Sequence, residues 1–349
     1  MQTESPDRPN LAAVARRAGV SPSTASLAFS GSGPVSDATR ERVFAAAREL
    51  DYAGPDPRAQ SLRRGRSGIV GVVVEERVRE AFRDPIKIAM LDGIAESIAP
   101  LDAGLLLLTD TGDGAVSIEN APMDAVVLIG CSPRLGHSVE VLAQRRIPMV
   151  AIEGDAGDGM PQISLDNRVA TRVAAQHLKD LGHTSVAMVT LPLDPERSSG
   201  ALTAAAEAAS TSDTASSRLA GARDVFPSIG GRIAAASFIE EGLEAGRVLL
   251  SASARPTAIL AQSDLLAAGV IRAAEEAGLR VPEDLSVIGF DGVRVDGLAY
   301  DLTTLVQPAA AKGRAAGEAI IRMLDGGTPE SVAFTSEFHL GATTAPPPA

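Results

Sequence analysis

From Ile69 onward the chain alternates short apolar runs with longer helix-forming stretches, and no other feature narrows its possible folds as much. Ile69–Val74, Leu105–Thr109, Ala125–Gly130 and Pro148–Ile152 form one series of runs; Ser185–Thr190, Ala258–Ala261 and Leu285–Phe290 form another. Strands covered by helices on both faces read as continuous apolar runs, whereas a strand with one wet face alternates. The alternation predicts an α/β body of two subdomains, each a doubly wound parallel sheet. Ligands of such sheets bind outside the carboxyl ends of the strands. Asp291, directly after Val287-Ile288-Gly289-Phe290, occupies such an end, as does Gln262-Ser263-Asp264 after Ile259-Leu260-Ala261.

The residues ahead of this body follow a different pattern. Asn10 can cap a helix carrying Leu11, Val14, Ala15 and Ala18, which Gly19 ends. Ser21 caps a second helix with Pro22 in its first position, where the missing N–H costs nothing. Ser36 caps a third, whose apolar face is Val43, Phe44, Ala47 and Leu50. Two helices joined across Ala18-Gly19-Val20-Ser21 make a helix-turn-helix. In the second helix Ala25, Ala28 and Phe29 face inward, while Pro22, Ser23, Ser26 and Leu27 face outward. Small polar residues at a helix N-terminus suit close approach to phosphates and base edges.

Charge separates the two parts. Net charge is −12, but residues 1–66 hold ten arginines against seven acids, a surplus of +3 that leaves −15 for the remainder. A basic head on an acidic body predicts that the head alone meets a polyanion. Between them, Tyr52 to Pro57 is a proline-rich break, followed by a short helix from Pro57 to about Arg64 that Gly65 ends. A helix this short is below the ~12–15 residues needed for stability in water, so it forms only against a partner. Its arginines, Arg58, Arg63 and Arg64, with Arg66 just beyond, make a polyanion the natural one.

Several function classes fall away. Hydrophobic residues make up 45% of the 349, enough to bury a sizeable core. One cysteine, Cys131, gives neither a disulfide framework nor a thiolate zinc site, and His137, His177, His183 and His339 are scattered without evident partners. His183, after Gly182, reads as a turn residue. There is no G-x-G-x-x-G after the first strand, no phosphate-binding G-x-x-x-x-G-K-[ST] and no G-x-S-x-G, so no catalytic residue, cofactor or metal is expected. Asp155 and Asp158 read as part of a solvated turn. No apolar run approaches the roughly 18 residues that span a bilayer, and Met1–Pro9 has no apolar signal core. A cytoplasmic protein without a membrane partner is expected. Residues 196–217 read as a low-complexity insertion, helical around Ala201–Ala209 and mobile beyond, and the tail Ala345–Ala349 as disordered.

These residues carry a resemblance. Leu11-Ala-Ala-Val-Ala-Arg-Arg-Ala-Gly-Val-Ser-Pro-Ser-Thr-Ala-Ser and Val35-Ser-Asp-Ala-Thr-Arg-Glu-Arg-Val resemble the headpiece of LacI/GalR transcriptional regulators. Ala59-Gln60-Ser61-Leu62-Arg63-Arg64-Gly65 resembles their hinge. Leu181-Gly182-His183, Arg218-Leu219-Ala220-Gly221, Val281 to Asp291 and Leu302 to Pro308 resemble their body, a periplasmic-binding-protein-like fold. The blocks occur in the family's order over nearly the whole chain. The resemblance implies a helix-turn-helix headpiece at 1–54 and a hinge at 55–67. It implies an N-terminal subdomain of 68–165 with 293–325, and a C-terminal subdomain of 166–292 with 326–345.

It also implies a homodimeric repressor that reads a near-palindromic double-stranded operator under control of a small-molecule effector. Ser21, Pro22, Ser23, Thr24, Ser26, Leu27 and Ser30 match the recognition-helix region, and Tyr52 a backbone contact. Arg58, Ala59, Ser61 and Leu62 match hinge contacts, with Leu62 as the wedge that kinks the minor groove. Leu27 stands where many members carry a guanine-reading arginine; a leucine makes no such bidentate contact but can touch a thymine methyl. Ser30 replaces a frequent asparagine.

In the cleft, Asp291 and Arg218 match the effector-binding aspartate and arginine. Asp166 and Ser263 fall where cleft residues are found, although Ser263 replaces a common asparagine. Arg197 matches a second cleft arginine, and Asp84-Pro85 the loop after the first strand. A carbohydrate effector is implied, and two arginines would also tolerate an anion. Whether the effector releases the operator or promotes binding stays open. A sugar-binding sensor or an α/β enzyme without DNA binding is the alternative.

Overall fold

The computed structural model describes residues 9–31, 33–55, 65–75, 78–109, 117–130, 135–154, 157 and 159–348. It divides into two compact units, Met1–Ser67 and Gly68–Ala349. The expected hinge helix, with Arg58, Ala59, Ser61 and Leu62, lies outside the described residues, as do Asp155 and Asp158.

The first unit is α1 (Leu11–Ala18), α2 (Pro22–Ser30) and α3 (Asp37–Glu49). Each begins where the cap residues predict. The Asn10 side chain accepts from Ala13 N at 2.9 Å, Ser21 from Thr24 N at 3.1 Å and Ser36 from Thr39 N at 3.3 Å. Gly19 adopts the left-handed conformation that ends α1 (φ 68°). Val14, Ala15, Ala25, Ala28 and Val43 form the buried centre. Phe29 packs edge-on against Phe44 and Tyr52, with ring centroids 5.2 and 5.7 Å away.

The second unit begins with β1 (Ile69–Val74), α4 (Val78–Ala81), α5 (Pro85–Ile98), β2 (Gly104–Thr109), β3 (Ala125–Ile129), α6 (Gly136–Gln144), β4 (Met149–Ile152) and β5 (Gln162–Leu165). Next come α7 (Asn167–Asp180), β6 (Val186–Thr190), β7 (Gly200–Ala201), α8 (Ala204–Ala208), α9 (Asp213–Arg223), β8 (Gly230–Ile233) and α10 (Ile239–Leu250). It ends with β9 (Ala258–Ala261), α11 (Asp264–Glu276), β10 (Ser286–Ile288), β11 (Thr304–Val306), α12 (Ala309–Leu324), β12 (Val332–Phe334) and β13 (Glu337–His339).

Two sheets result. One has the parallel order β2-β1-β3-β4-β5-β12; the other runs β7-β8-β6-β9-β10 and is parallel except for β7. Both are covered on two faces. Helices α5 and α12 bury Val70, Val72, Val127 and Val150 on one side of the first sheet. Val126 and Leu128 belong to a separate core with Leu142 of α6. In the second sheet α10 and α11 pack over Ile259 and Val287, while α7 and α9 pack over Met188 and Leu260. Two-sided burial is why these strands carry no polar alternation.

Strand pairing moves the expected subdomain boundaries. β11 contributes Leu305 to the core of the second sheet and pairs with β13, while β12 joins the first sheet. The chain therefore crosses between subdomains near 166, near 308 and near 335. Residues 293–307 stay with the second sheet and 326–334 with the first, the reverse of the sequence expectation.

Three local expectations are also corrected. The segment 196–217 is ordered: α8 is tied to α9 by the Glu207–Arg223 ion pair, and the Ser210 and Ser216 hydroxyls lie 2.8 Å apart. The tail is held at Ala345, whose carbonyl meets His183 Nε2 at 2.9 Å and the Ser286 hydroxyl at 3.0 Å. His183 is a buried staple that also meets Thr257 at 2.8 Å, and burial pulls its pKa below the ordinary imidazole range. His177 meets Thr344 and His339 meets Asp301, so these histidines have partners too.

Helices α5 and α12 touch backbone to backbone through glycines. A methyl group at Gly93 would strike the Ala310 carbonyl, and one at Gly313 would strike that of Met90. Gly93→Ala is expected to cost about 1–3 kcal/mol through overpacking, read as a lower urea midpoint at unchanged m-value.

Candidate functional site

The carboxyl ends of the two sheets open onto one cleft of about 170 Å³. Asp84, Arg197, Arg218, Ser263 and Asp291 are all brought to its walls. Asp166 is not. At the first crossing its carboxylate accepts from Ser336 N at 2.8 Å and the Ser336 hydroxyl at 3.0 Å, so it braces one crossing segment to another. Ser263 lies on the wall, but its hydroxyl caps α11 through Leu266 N at 3.1 Å and accepts from Ser237 at 2.9 Å. Asp84 caps α5 through Ile86 N, and the Arg197 Nε donates to the Ala235 carbonyl.

Arg218 and Asp291 are the buried charges of the second subdomain's wall. The guanidinium of Arg218 lies over the Phe290 ring, 3.4 Å from its centroid. Its Nε donates to Asn167 Oδ1 at 2.8 Å and its Nη1 to the Gln262 carbonyl at 2.5 Å. Burial pulls its pKa down, and Asp291 and Glu153 oppose that pull; a guanidinium stays charged regardless. Asp291 follows β10 with φ 129° and accepts from Gln307 Nε2 at 2.6 Å. Burial raises its pKa well above the carboxylate range, against the attraction of Arg218. The two charges feel each other, yet no direct ion pair joins them among the described residues.

Four residues that sequence reasoning left unassigned complete the arrangement. Lys312 on α12, with no exposed side-chain surface, donates to Glu153 and to Gln307. Glu153, after β4, accepts at its other oxygen from Asn167 Nδ2 at 3.2 Å and from the Thr214 hydroxyl at 3.3 Å. Lys312 and the neighbouring Arg218 hold the Glu153 pKa below its ordinary value despite burial. A ring of side chains follows, running Arg218, Asn167, Glu153, Lys312, Gln307, Asp291. Its one open segment is the gap between Asp291 and Arg218. The available signals were Gln307 inside the Leu302–Pro308 block and a lone lysine in the run Ala309-Ala310-Ala311-Lys312-Gly313.

Asp264, wholly buried at the start of α11, accepts from the Thr304 hydroxyl at 2.5 Å and Val293 N at 2.7 Å. Burial pushes its pKa up to about 7.

On the headpiece, Ser21, Pro22, Ser23, Leu27 and Ser30 are exposed and Thr24, Ser26 and Tyr52 partly so. Leu27 leans on Gly33, where a Cβ would lie 3.2 Å from its Cδ2. Among the described residues no helix is long and apolar enough to cross a membrane.

Comparison with known proteins agrees with both parts. Residues 10–54 match bacterial regulatory proteins of the lacI family, and residues 175–344 a periplasmic binding protein-like domain. The HTH-type transcriptional regulator IpsA of Corynebacterium glutamicum is 32% identical over 96% of this chain and 97% of its own. The chain belongs to the LacI family. It is accordingly a DNA-binding transcriptional regulator, with the fold expected of one. Solved structures of the same fold include a lac repressor dimer bound to operator and an anti-inducer (TM-score 0.75, 23% identity, 97% of this chain and 100% of that one). Another is a complex of the regulator CelR with cellobiose (TM-score 0.66, 23% identity, 96% and 100%).

Two outcomes follow for this LacI-family protein. Lys312→Met strands Glu153 and is expected to cost about 3–5 kcal/mol in urea unfolding; adding Glu153→Gln should recover part of that loss. The Asp264 carboxyl has a higher pKa folded than unfolded, so its stabilising contribution is complete below the unfolded pKa near 4. It is lost as pH rises through about 7. Asp264→Asn should remove that part of the stability slope between pH 4 and 7.

Proposed function

We propose that this regulator is a repressor that binds a near-palindromic operator as a homodimer. Its control is a small polyhydroxylated ligand, a carbohydrate or close relative, held in the cleft of the body. The observation that carries the ligand is the open segment of the ring. A hydroxyl placed between Asp291 and Arg218 can donate to the first and accept from the second, and vicinal hydroxyls can do so twice. The cleft volume lies below the roughly 300–1,000 Å³ of drug-sized sites, which favours a small occupant. The CelR–cellobiose complex and the operator-bound lac repressor dimer support this reading by likeness of fold. Binding rather than catalysis is the role, and the cytoplasm, where operator DNA is found, is the place.

A ligand switches the protein only if it binds one arrangement of the subdomains better than the other. Glu75 and Asp84 line the cleft from one subdomain and Arg218 and Asp291 from the other, so a ligand that touches both walls has that property. Leu27, Ser23 and Ser26 would enter the major groove, with Tyr52 on the backbone.

Operator fragments selected from genomic DNA by the purified protein should share a palindrome, with affinity falling steeply as salt rises. Deleting residues 1–66 should abolish that binding and leave ligand binding intact. Asp291→Ala and Arg218→Ala should each weaken the ligand at least about tenfold, as expected for truncating one partner of a charged hydrogen bond. Unchanged affinity in both would remove the cleft assignment.

A further inference from the structure

The cleft is far more acidic than its two arginines suggest. Glu75, Glu80, Asp84 and Glu153 line it from the first subdomain. Asp194, Asp213 and Asp291 line it from the second, against only Lys87, Arg197 and Arg218 in all among the described residues. Each of those three cations has a partner, a carboxylate for Lys87 and carbonyl oxygens for Arg197 and Arg218. Lys87 lies 3.8 Å from an Asp84 oxygen, and Arg197 donates to the Ala235 carbonyl. Arg218 donates to Asn167 and Gln262 and is stacked on Phe290. Lys312, behind the wall, is committed to Glu153 and Gln307. The local field is already felt by the protein's own groups: after burial, Asp264 and Asp84 are what push the Asp291 carboxyl upward, against Arg218.

Glu75 is the carboxylate whose place is most clearly built. It follows β1, and its carboxylate packs against Gly130 at the end of β3, in space a Cβ would fill. Gly130 has φ 74°, a conformation that further favours glycine. β1 lies between β2 and β3, so Glu75 stands at the switch point of the first sheet, where ligands of such sheets bind.

We infer that the cleft selects a polyhydroxylated ligand bearing no negative charge, and that Glu75, within a lining that holds more carboxylates than cations, rejects phosphorylated and carboxylated relatives. The inference rests on the polyhydroxylated-ligand reading above and sharpens it. A cleft lined by carboxylates with low-dielectric walls focuses a negative potential onto its occupant. An anionic group brought there loses its hydration and meets carboxylates in excess of cations, whereas hydroxyl and ammonium donors find acceptors.

The test uses full-length protein and matched ligands that differ in charge but little in size. Thermal unfolding and calorimetry would be run with neutral aldoses and alditols, their 2-amino derivatives, their terminal phosphates, and hexuronates beside the corresponding uronamides. Binding confined to neutral and aminated members is expected, with each uronate at least about tenfold weaker than its uronamide, a difference of about 1.4 kcal/mol. Glu75→Gln, which keeps the shape and removes the charge, should narrow the uronate–uronamide gap without weakening the uronamide. An anionic ligand bound as tightly as its uncharged counterpart overturns the inference while leaving the polyhydroxylated reading intact. An unchanged gap in Glu75→Gln overturns the role of Glu75. No binding by any member overturns the polyhydroxylated reading itself.

Discussion

The body of this protein is organised around one buried ammonium. Lys312 enters from an alanine-rich helix, has no contact with solvent, is neutralised by Glu153 and donates a further hydrogen bond to Gln307. An unpaired charge in that position would be untenable, so both partners must be where they are. Glu153 in turn binds Asn167 and Thr214 of the other subdomain, and Gln307 binds Asp291. The crossings near 166 and 308 are therefore pinned to the same cation. Moving one subdomain against the other stretches bonds that converge on Lys312.

Topology explains why these groups meet. In each doubly wound sheet the neighbours of the first strand leave in opposite directions, opening a crevice at the strands' carboxyl ends. Glu75 and Glu153 follow β1 and β4, Gln262 and Asp291 follow β9 and β10, and Asn167 and Gln307 stand at crossings between the sheets. The crossing segments bring the two crevices face to face. Polar groups collect there because strand ends release backbone that the sheet no longer pairs.

Local signals made much of this legible. Asn10, Ser21 and Ser36 act on the helix that follows within three residues, and each caps where it was expected to. Ile69–Val74 reads as a buried strand because its burial is nearly complete. What escaped depends on partners distant in sequence. Gln162–Leu165 and Val332–Phe334 are short and only partly buried, and their pairing spans most of the second unit. The serine- and alanine-rich segment read as helical around Ala201–Ala209 and mobile beyond, yet Glu207–Arg223 and Ser210–Ser216 order it. Asp166 carried the right residue type beside the cleft, but its backbone turns the carboxylate toward Ser336. Asp291 was placed at the cleft by its strand end and by resemblance, and Arg218 by resemblance alone; Lys312 and Glu153 were not placed there, since a lysine in an alanine run reads as a solvated face until its helix is known to pack on α5.

The ring also explains how a small ligand could govern a large protein. A neutral hydroxyl closing the gap between Asp291 and Arg218 contributes about 0.5–3 kcal/mol per hydrogen bond, those to charged groups at the upper end. Switching a population from mostly one state to mostly the other needs roughly 5.5 kcal/mol of differential affinity. Two or three such bonds reach that figure only if they are lost when the subdomains separate. Asp291 and Arg218 stand on one subdomain and Glu75 and Asp84 on the other, so a ligand spanning both walls forfeits half its partners on opening. The excess of carboxylates adds a second condition. Like charges lining the cleft repel one another, and a donor-rich ligand between the walls relieves that repulsion.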